Sequence, residues 1–367
     1  MDQIELIHVS KKFTTKTLGT VTAVNNLNLK IKEGECFSIL GPSGCGKTTT
    51  LRMIAGFEDL SDGEIYLSGR PVSVKEKNLY IPPEKRGLGM VFQSFAVWPH
   101  MNLFENVAFP LRVQNINKTE IKKRVEEALH HTNLDGMGKA YPSDLSGGQQ
   151  QRIALARAII TNPKVMLLDE PFSNLDPKTR ESMRFEIKKL QKKFNFTIIF
   201  VTHDQSEAMA ISDRMMVMDM GNIVQVDTPT NLYNKPINRF VHNFLGKSNF
   251  TRVIIENNKV YPRNDKSQPL PCELPNNGER EAVLATRPNT IELNHTNGYK
   301  TKIEKRIFLT NYIEYIVKVG DQIIQVQTPH FDEFKEGQTC YVKFPSVMWY
   351  SAEEDLKDNE RDCRQII

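Results

Sequence analysis

The residues most able to do chemistry in this chain fall in three short runs. Gly41-Pro42-Ser43-Gly44-Cys45-Gly46-Lys47-Thr48 fits GxxxxGK[ST], follows the apolar run Cys36 to Leu40, and leads into a predicted helix from Lys47 to about Ala55. Glycines let backbone N–H groups turn inward on phosphate oxygens, a helix N-terminus adds a favourable dipole, Lys47 supplies a point charge, and the Thr48 hydroxyl can ligate Mg²⁺. An ordinary Gly-rich turn is the alternative, and the strand-loop-helix context argues against it. A phosphate loop needs an acidic partner, and Val165-Met166-Leu167-Leu168-Asp169-Glu170 supplies an apolar strand ending in two acids. Adjacent strand residues point in different directions, so Asp169 can hold Mg²⁺ through water while Glu170 polarises an attacking water. Taken alone, the run would read as a strand ending in solvated acids. Leu145-Ser146-Gly147-Gly148-Gln149 places a hydroxyl and two glycines before another predicted helix. That is either a second anion-binding terminus or a Ser-capped helix.

The elements that must position these residues alternate between strand and helix over the first two-thirds of the chain, the pattern of a sheet with helices on its faces. Leu27, Leu29 and Ile31 alternate with polar residues, and Val165 to Leu168 and Thr197 to Val201 are continuous apolar runs suited to strands buried on both faces. Helices are expected over Glu120 to His131 with Thr119 as N-cap, Gln149 to Ile160, and Lys178 to Phe194. After Asn234 the character changes: a short helix from Pro236 to Leu245, a hinge at Gly246-Lys247-Ser248-Asn249, then short strands at Thr251 to Ile255, Ala282 to Thr286, Arg306 to Leu309, Tyr312 to Val319, Ile323 to Gln327 and Cys340 to Phe344. Such spacing predicts a small all-β, barrel-like domain over 250–351, with a charged tail from Ala352 to Ile367.

Length and composition bound the reading. The 367 residues suffice for two or three domains, and 39% hydrophobic with 25% charged residues is ordinary for a globular protein. A formal charge of +4 is too small and too evenly spread to argue for nucleic acid. No run of about 18 apolar residues occurs and the N-terminus lacks the regions of a secretory signal, so the chain is expected in the cytosol. Cys36, Cys45, Cys272, Cys340 and Cys363 show no CxxC pairing and read as free thiols.

The phosphate loop, the run Leu145 to Gln149 and the strand end Leu168-Asp169-Glu170-Pro171, in this order, resemble the ATP-binding cassette of ABC transporters over about residues 3 to 240. The resemblance implies an α/β P-loop NTPase cassette over 1–235, with a helical subdomain over about 94–160, that hydrolyses ATP with Mg²⁺ as a head-to-tail dimer of two copies. ATP would be held by Phe13 on adenine, by Gly41, Pro42, Ser43, Gly44, Cys45, Gly46, Lys47, Thr48 and Thr49, and by Ser146, Gly147, Gly148 and Gln149 of the partner copy. On its type alone Phe13 is also a candidate core residue, the lesser of the two readings. Gln93 matches the glutamine that senses metal and water, so the metal set is Thr48, Gln93 and Asp169. Ser173-Asn174-Leu175-Asp176 resembles the loop through which two cassettes communicate, and His203 resembles the switch histidine. Of the two candidate bases, a carboxylate beside metal-bound water is the better, which assigns Glu170 as base and His203 to orientation.

For what the ATPase drives, the resemblance implies separate permease subunits, a solute-binding protein, and a peripheral place on the cytoplasmic face of the cell membrane. Gln93 to Met101 is similar to the region that docks a permease; Phe95 and Trp98 fit docking or core equally well. The C-terminal part, with Ala285-Thr286-Arg287-Pro288 and Ile291-Glu292-Leu293, resembles a regulatory oligonucleotide-binding-like (OB-like) domain of importer ATPases. Trp98 and Pro110 make the pattern most similar to iron(III) importers, with polyamine, sugar and phosphonate-type solutes as alternatives. A soluble ABC ATPase of ribosomes or DNA is the other class, and those usually carry two cassettes in one chain or a long coiled-coil insertion.

Overall fold

The structure, a computed structural model, describes residues 1–16, 19–275, 279–331 and 334–352. Most of the expected tail, with Cys363, lies outside the described residues. The chain divides into two compact units, Met1–Lys235 and Pro236–Ile367.

The helices of the first unit are α1 (Lys47–Ala55), α2 (Leu103–Val113), α3 (Lys118–His131), α4 (Gly147–Ile159), α5 (Pro177–Phe194), α6 (Gln205–Ile211) and α7 (Pro229–Asn234). Its central sheet runs Asn222–Asp227, Arg214–Asp219, Cys36–Leu40, Thr197–Val201, Val165–Asp169, Leu88–Val91, and is parallel except for the Asn222–Asp227 edge. Cys36–Leu40, Thr197–Val201 and Val165–Asp169 are buried at every position, because both faces of a parallel sheet are covered. Side-chain alternation then splits each strand between two cores. Phe37, Ile39, Val165, Leu167, Ile199 and Val201 join Leu51 and Ile54 of α1, while Cys36, Met166, Leu168, Ile198 and Phe200 join Leu155 of α4 and Ile187 of α5.

An antiparallel sheet of Gly19–Lys32, Asp2–Thr15, Asp62–Leu67, Arg70–Val74 and Leu79–Tyr80 closes over the first core with Ile4, Leu6, Leu27 and Ile65. Its two long strands extend far beyond the expected Leu27–Ile31 segment. Register shifts between Leu6 and Val9 and between Val9 and Lys11 break the period-2 pattern that would have revealed them.

α2, α3 and α4 pack on one another through Leu103, Val107, Leu111, Val125, Leu129, Ile153 and Ala156. Asn106, fully buried in α2, grips the segment before it: its amide nitrogen donates to the carbonyls of Trp98 (3.1 Å) and Met101 (2.9 Å), and its oxygen accepts from the Trp98 N–H (2.9 Å). Two helix starts differ from expectation. α3 is capped by Asn117, whose oxygen accepts from the Glu120 N–H at 2.8 Å, so Thr119 lies inside the helix. α4 begins at Gly147, so the two glycines form its first turn instead of preceding it.

Among its described residues the second unit holds one short α-helix, α8 (Arg239–Phe244), and two antiparallel sheets. Asn238 caps α8 through the Val241 N–H (2.9 Å), which shortens the expected Pro236 to Leu245 helix at both ends. Lys259–Pro262, Asn249–Glu256, Glu281–Thr286 and Met348–Ser351 form one sheet; Glu292–Asn294, Thr339–Lys343, Tyr299–Phe308, Ile313–Val319 and Gln322–Thr328 form the other. They curl around Val253, Leu284, Ile303, Tyr315, Val326 and Phe344 as an OB-like half-barrel. The expected hinge is pinned: Arg287 donates to the Gly246 carbonyl (2.9 Å), the His242 carbonyl (2.8 Å) and the Ser248 hydroxyl (2.8 Å), and Lys247 pairs with Glu314 at 3.1 Å. Among the described residues no helix is long and apolar enough to cross a membrane, and Cys36, Cys45, Cys272 and Cys340 are free.

One buried guanidinium anchors the far end of α1. Arg86, 7% exposed, donates to the carbonyls of Met53 (2.8 Å), Ile54 (2.9 Å) and Ile81 (2.6 Å) and to the Ser73 hydroxyl (2.8 Å), satisfying last-turn carbonyls that have no partner within the helix. A lysine cannot reproduce that fork. Arg86→Lys is expected to destabilise the protein by about 1–3 kcal/mol, read as a lower thermal unfolding midpoint by circular dichroism; an unchanged midpoint would contradict the anchoring role.

Candidate active site

Every group in the candidate site follows the C-terminal end of a parallel strand. After Leu40 the chain turns through the phosphate loop, where Gly46 has φ 105° and an added Cβ would meet the Ala23 carbonyl oxygen at 2.3 Å. Only glycine fits there. Gly46 opens α1 without any side-chain cap, and no acidic residue occupies the first turn, which leaves its N–H groups and dipole for an anion. Lys47 is buried to 7% exposure, and its ammonium donates to the carbonyls of Gly41 (2.7 Å) and Pro42 (2.8 Å). Those bonds fold the long side chain back over the loop. Cys45 lies beneath, its thiol pushed up by burial despite the nearby Lys47 ammonium. Ser43 and Gly44 are exposed, while Pro42, Thr48 and Thr49 are half-buried.

Val165–Asp169 delivers the acids. Asp169 is nearly buried, with Oδ1 3.4 Å from the Thr48 hydroxyl. Burial raises its pKa and the adjacent Glu170 reinforces the rise, against the opposing pull of Arg52, Thr48 and Lys47. Glu170 leaves strand geometry at φ 45°, a conformation a non-glycine residue adopts at a cost of about 1–3 kcal/mol. It is held there by its N–H to the Val201 carbonyl (2.9 Å) and by its carbonyl, which accepts from the Ser173 hydroxyl (3.0 Å). Its Oε2 accepts from the Gln93 amide at 3.1 Å and lies 3.3 Å from His203 Nδ1. Gln93 and His203 thus converge on one carboxylate oxygen of Glu170. The backbone around His203 is fixed in turn: the Thr202 hydroxyl donates to buried Glu207 (2.6 Å) and accepts from the Asp204 N–H (3.0 Å).

Other expected residues are placed apart from this convergence. Ser146 is exposed at the start of α4, where its hydroxyl accepts from the Gln149 N–H (3.4 Å) and Gln149 Oε1 accepts from the Ser146 N–H (3.0 Å). Within one chain it is a helix cap, and Gly147 beside it is exposed and Gly148 half-buried. Asp176 caps α5 through Thr179 (3.0 Å), which holds its carboxyl below the ordinary range. Phe13 is half-buried on a strand ribbon, paired with Val21 and capped on its ring by the Lys11 ammonium at 4.8 Å. The same ribbon carries Ala23, which backs Gly46. Phe95 is 7% exposed and enters the core that holds Phe172 and Leu175; Trp98 is half-buried and packs against Phe109 with ring centroids 4.6 Å apart and planes tilted by 49°.

Two contacts beside the site were not foreseen from the sequence, although Asn174 lies in the run Ser173 to Asp176 singled out there. The Asn174 amide donates to the Gln93 carbonyl (3.0 Å), tying the Gln93 loop to the Ser173–Asp176 loop. Arg180 on α5 approaches Asp204 (3.5 Å) and Glu207 (3.4 Å), joining that loop's helix to the segment after His203. Both contacts join residues far apart in the chain, and no local pattern marks them.

The oxygen donors suit a hard divalent cation. Thr48 and Asp169 present a hydroxyl and a carboxylate side by side, the kind of partial set that Mg²⁺ completes with substrate phosphates and water. Among the described residues no group of three or more His, Cys, Asp or Glu forms a self-sufficient metal cage.

Comparison with known proteins gives the family. A family model described as "ABC transporter" matches residues 24–173. The chain is 45% identical over 317 residues to the spermidine/putrescine import ATP-binding protein of Rubrobacter xylanophilus, covering 84% of this chain and 82% of that one. It is 41% identical over 337 residues to the Fe(3+) ions import ATP-binding protein of Vibrio cholerae, covering 90% and 93%, and 45% identical over 284 residues to the trehalose/maltose import ATP-binding protein of Thermococcus litoralis, covering 75% and 76%. Among solved structures, a dimeric bacterial ABC transporter cassette is similar at TM-score 0.54 and 34% identity, covering 62% of this chain and 98% of that one.

Burying Asp169 sets up a trade between stability and site chemistry. With its pKa raised in the fold, ionised Asp169 disfavours the native state at neutral pH, and the penalty fades as pH falls through the raised value. Asp169→Asn is therefore expected to raise the unfolding midpoint of the nucleotide-free protein at pH 7 and to lose that advantage in acid, while turnover falls. A lower midpoint at pH 7 would show that the charge is stabilising where it stands.

Proposed function

The chain belongs to the ABC transporter family as an import ATP-binding protein, an ATP-binding ATPase, and from that premise we propose how its residues act and what they drive. Phosphate-loop amides and Lys47 bind the β and γ phosphates, with Thr49 and Pro42 in the same cradle and Phe13 against adenine. Thr48, Asp169 and Gln93 would hold Mg²⁺, which would supply positive charge to neutralise the charge developing on the phosphates. Glu170 takes a proton from the attacking water, while His203 and Gln93 fix the carboxylate's direction. The single observation that carries this reading is the convergence of Gln93 and His203 on Glu170 Oε2.

Turnover requires a second copy. Ser146, Gly147, Gly148 and Gln149 are presented at a helix start exposed within the chain, and a partner's phosphate loop supplies the nucleotide they meet, with Asp176 beside that junction. The similar solved cassettes are dimers, which supports the reading. The assembly sits as a peripheral subunit on the cytoplasmic face of a membrane, with permease subunits and a solute-binding protein supplying the path and the choice of solute.

The solute we assign is iron(III), on Trp98 and Pro110, and the similar Fe(3+) ions import ATP-binding protein supports it. The higher identity of the spermidine/putrescine relative favours polyamine as the second reading. Capture of the tagged chain from its native membrane is expected to bring down a multispanning permease and a solute-binding protein whose ligand names the solute. Recovery of ribosomal or DNA-repair proteins without a permease would contradict import.

A complementation assay tests the paired site. Ser146→Arg and Lys47→Ala chains are each expected to be inactive alone, and mixing them should restore turnover, because one composite site in the mixed dimer is intact. Absence of restoration in a verified mixed dimer would place both motifs at the same chain's nucleotide.

A further inference from the structure

The loop after Gln93 is held in an unfavourable shape by a side chain from α4. Phe95 and Ala96 are consecutive non-glycine residues in the left-handed region, at φ 60° and 48°. Arg157 spans both: Nη1 donates to the Ala96 carbonyl at 2.7 Å and Nη2 to the Phe95 carbonyl at 3.0 Å. Its guanidinium carbon also lies 4.6 Å from the centre of the Trp98 ring. The planar fork suits two neighbouring carbonyls and an aromatic face together, which a lysine ammonium cannot match. α4 opens at Ser146, and Arg157 sits in its last turn. One rigid helix therefore carries the exposed Ser146 end and the grip on the loop that begins at Gln93.

We infer that Arg157 is a positioning residue for ATP hydrolysis: it holds the Phe95–Ala96 turn in its left-handed shape and so keeps the Gln93 amide on Glu170. The inference rests on the roles proposed above for Gln93 and Glu170. When Arg157 is lost, the two residues relax toward ordinary backbone angles, the Gln93 side chain leaves the carboxylate oxygen, and the chemical step slows. The nucleotide cradle at Gly41–Thr49 has no hydrogen bond to Arg157 in its grip, so nucleotide affinity stays as it was. Glycine adopts the left-handed region freely, so Ala96→Gly removes part of what Arg157 has to hold.

The experiment is a kinetic cycle on the full chain, with Arg157→Lys, Gln93→Ala, their double mutant, Ala96→Gly, and Arg157→Lys combined with Ala96→Gly. For each, kcat, KM for ATP, equilibrium binding of a fluorescent ATP analogue and the thermal unfolding midpoint are measured. Arg157→Lys is expected to lower kcat about fivefold to tenfold, with KM and nucleotide affinity changed by less than about twofold. Added to Gln93→Ala it should cost little further, because both act through one contact. Ala96→Gly should recover most of the loss caused by Arg157→Lys. Unchanged kcat in Arg157→Lys, effects that simply multiply with those of Gln93→Ala, failure of Ala96→Gly to recover turnover, or a parallel fall in binding and unfolding midpoint would each overturn the inference. Full turnover in Gln93→Ala would instead remove Gln93 from the mechanism, separating that failure from one confined to Arg157.

Discussion

The candidate site depends on strands that have no solvent side. Cys36–Leu40, Val165–Asp169 and Thr197–Val201 are buried throughout, so polar chemistry can appear only where each strand stops. Parallel pairing puts those stops at one edge, in register: Asp169 lies opposite Val201, and Val91 lies opposite Leu168. Gly41, Gln93, Asp169, Glu170 and His203 therefore cluster without a loop having to travel, as expected of ligand sites beyond the carboxyl ends of strands in open α/β sheets.

What lies just past that edge is held against its own preferences. Asp169 is ionisable yet nearly buried, Glu170 stands at φ 45°, and Phe95 and Ala96 share left-handed angles. Each is over-determined by specific bonds: Thr48 beside Asp169, Val201 and Ser173 on Glu170, and Arg157 on the loop. Strain of this sort survives only where surrounding structure enforces it. Here the enforcing groups come from the central sheet, α1 and α4, so the placement of one carboxylate draws on most of the first unit.

Much of this was legible in the sequence because the buried strands are uninterrupted apolar runs and the phosphate loop has a spacing that chemistry dictates. The convergence on Glu170 was legible only as separate residues, since Gln93, Glu170 and His203 follow three different strands. What stayed hidden has physical causes. Bulges in Asp2–Thr15 and Gly19–Lys32 erased the alternation, and Tyr299–Phe308 reads as polar because Lys300 and Lys302 are exposed between buried Tyr299 and Ile303, and Glu304 is exposed just after them. Asn117 outcompeted Thr119 as a cap because its side chain reaches the Glu120 N–H from just outside the helix. Arg157 and Asn174 act on carbonyls some 60 to 80 positions away, 61 in one case and 81 in the other. Phe95 and Trp98 were equally suited to core or surface, and burial divides them.

The most direct test of the account is ATP turnover and ATP-dependent association of Glu170→Gln in the purified full chain. The amide keeps the shape of the side chain but cannot accept a proton from water. The account predicts that hydrolysis is abolished while the protein still binds ATP and accumulates as a dimer that resolves only on removal of nucleotide. Turnover at the level of the unaltered protein would contradict it, and would move the base away from Glu170.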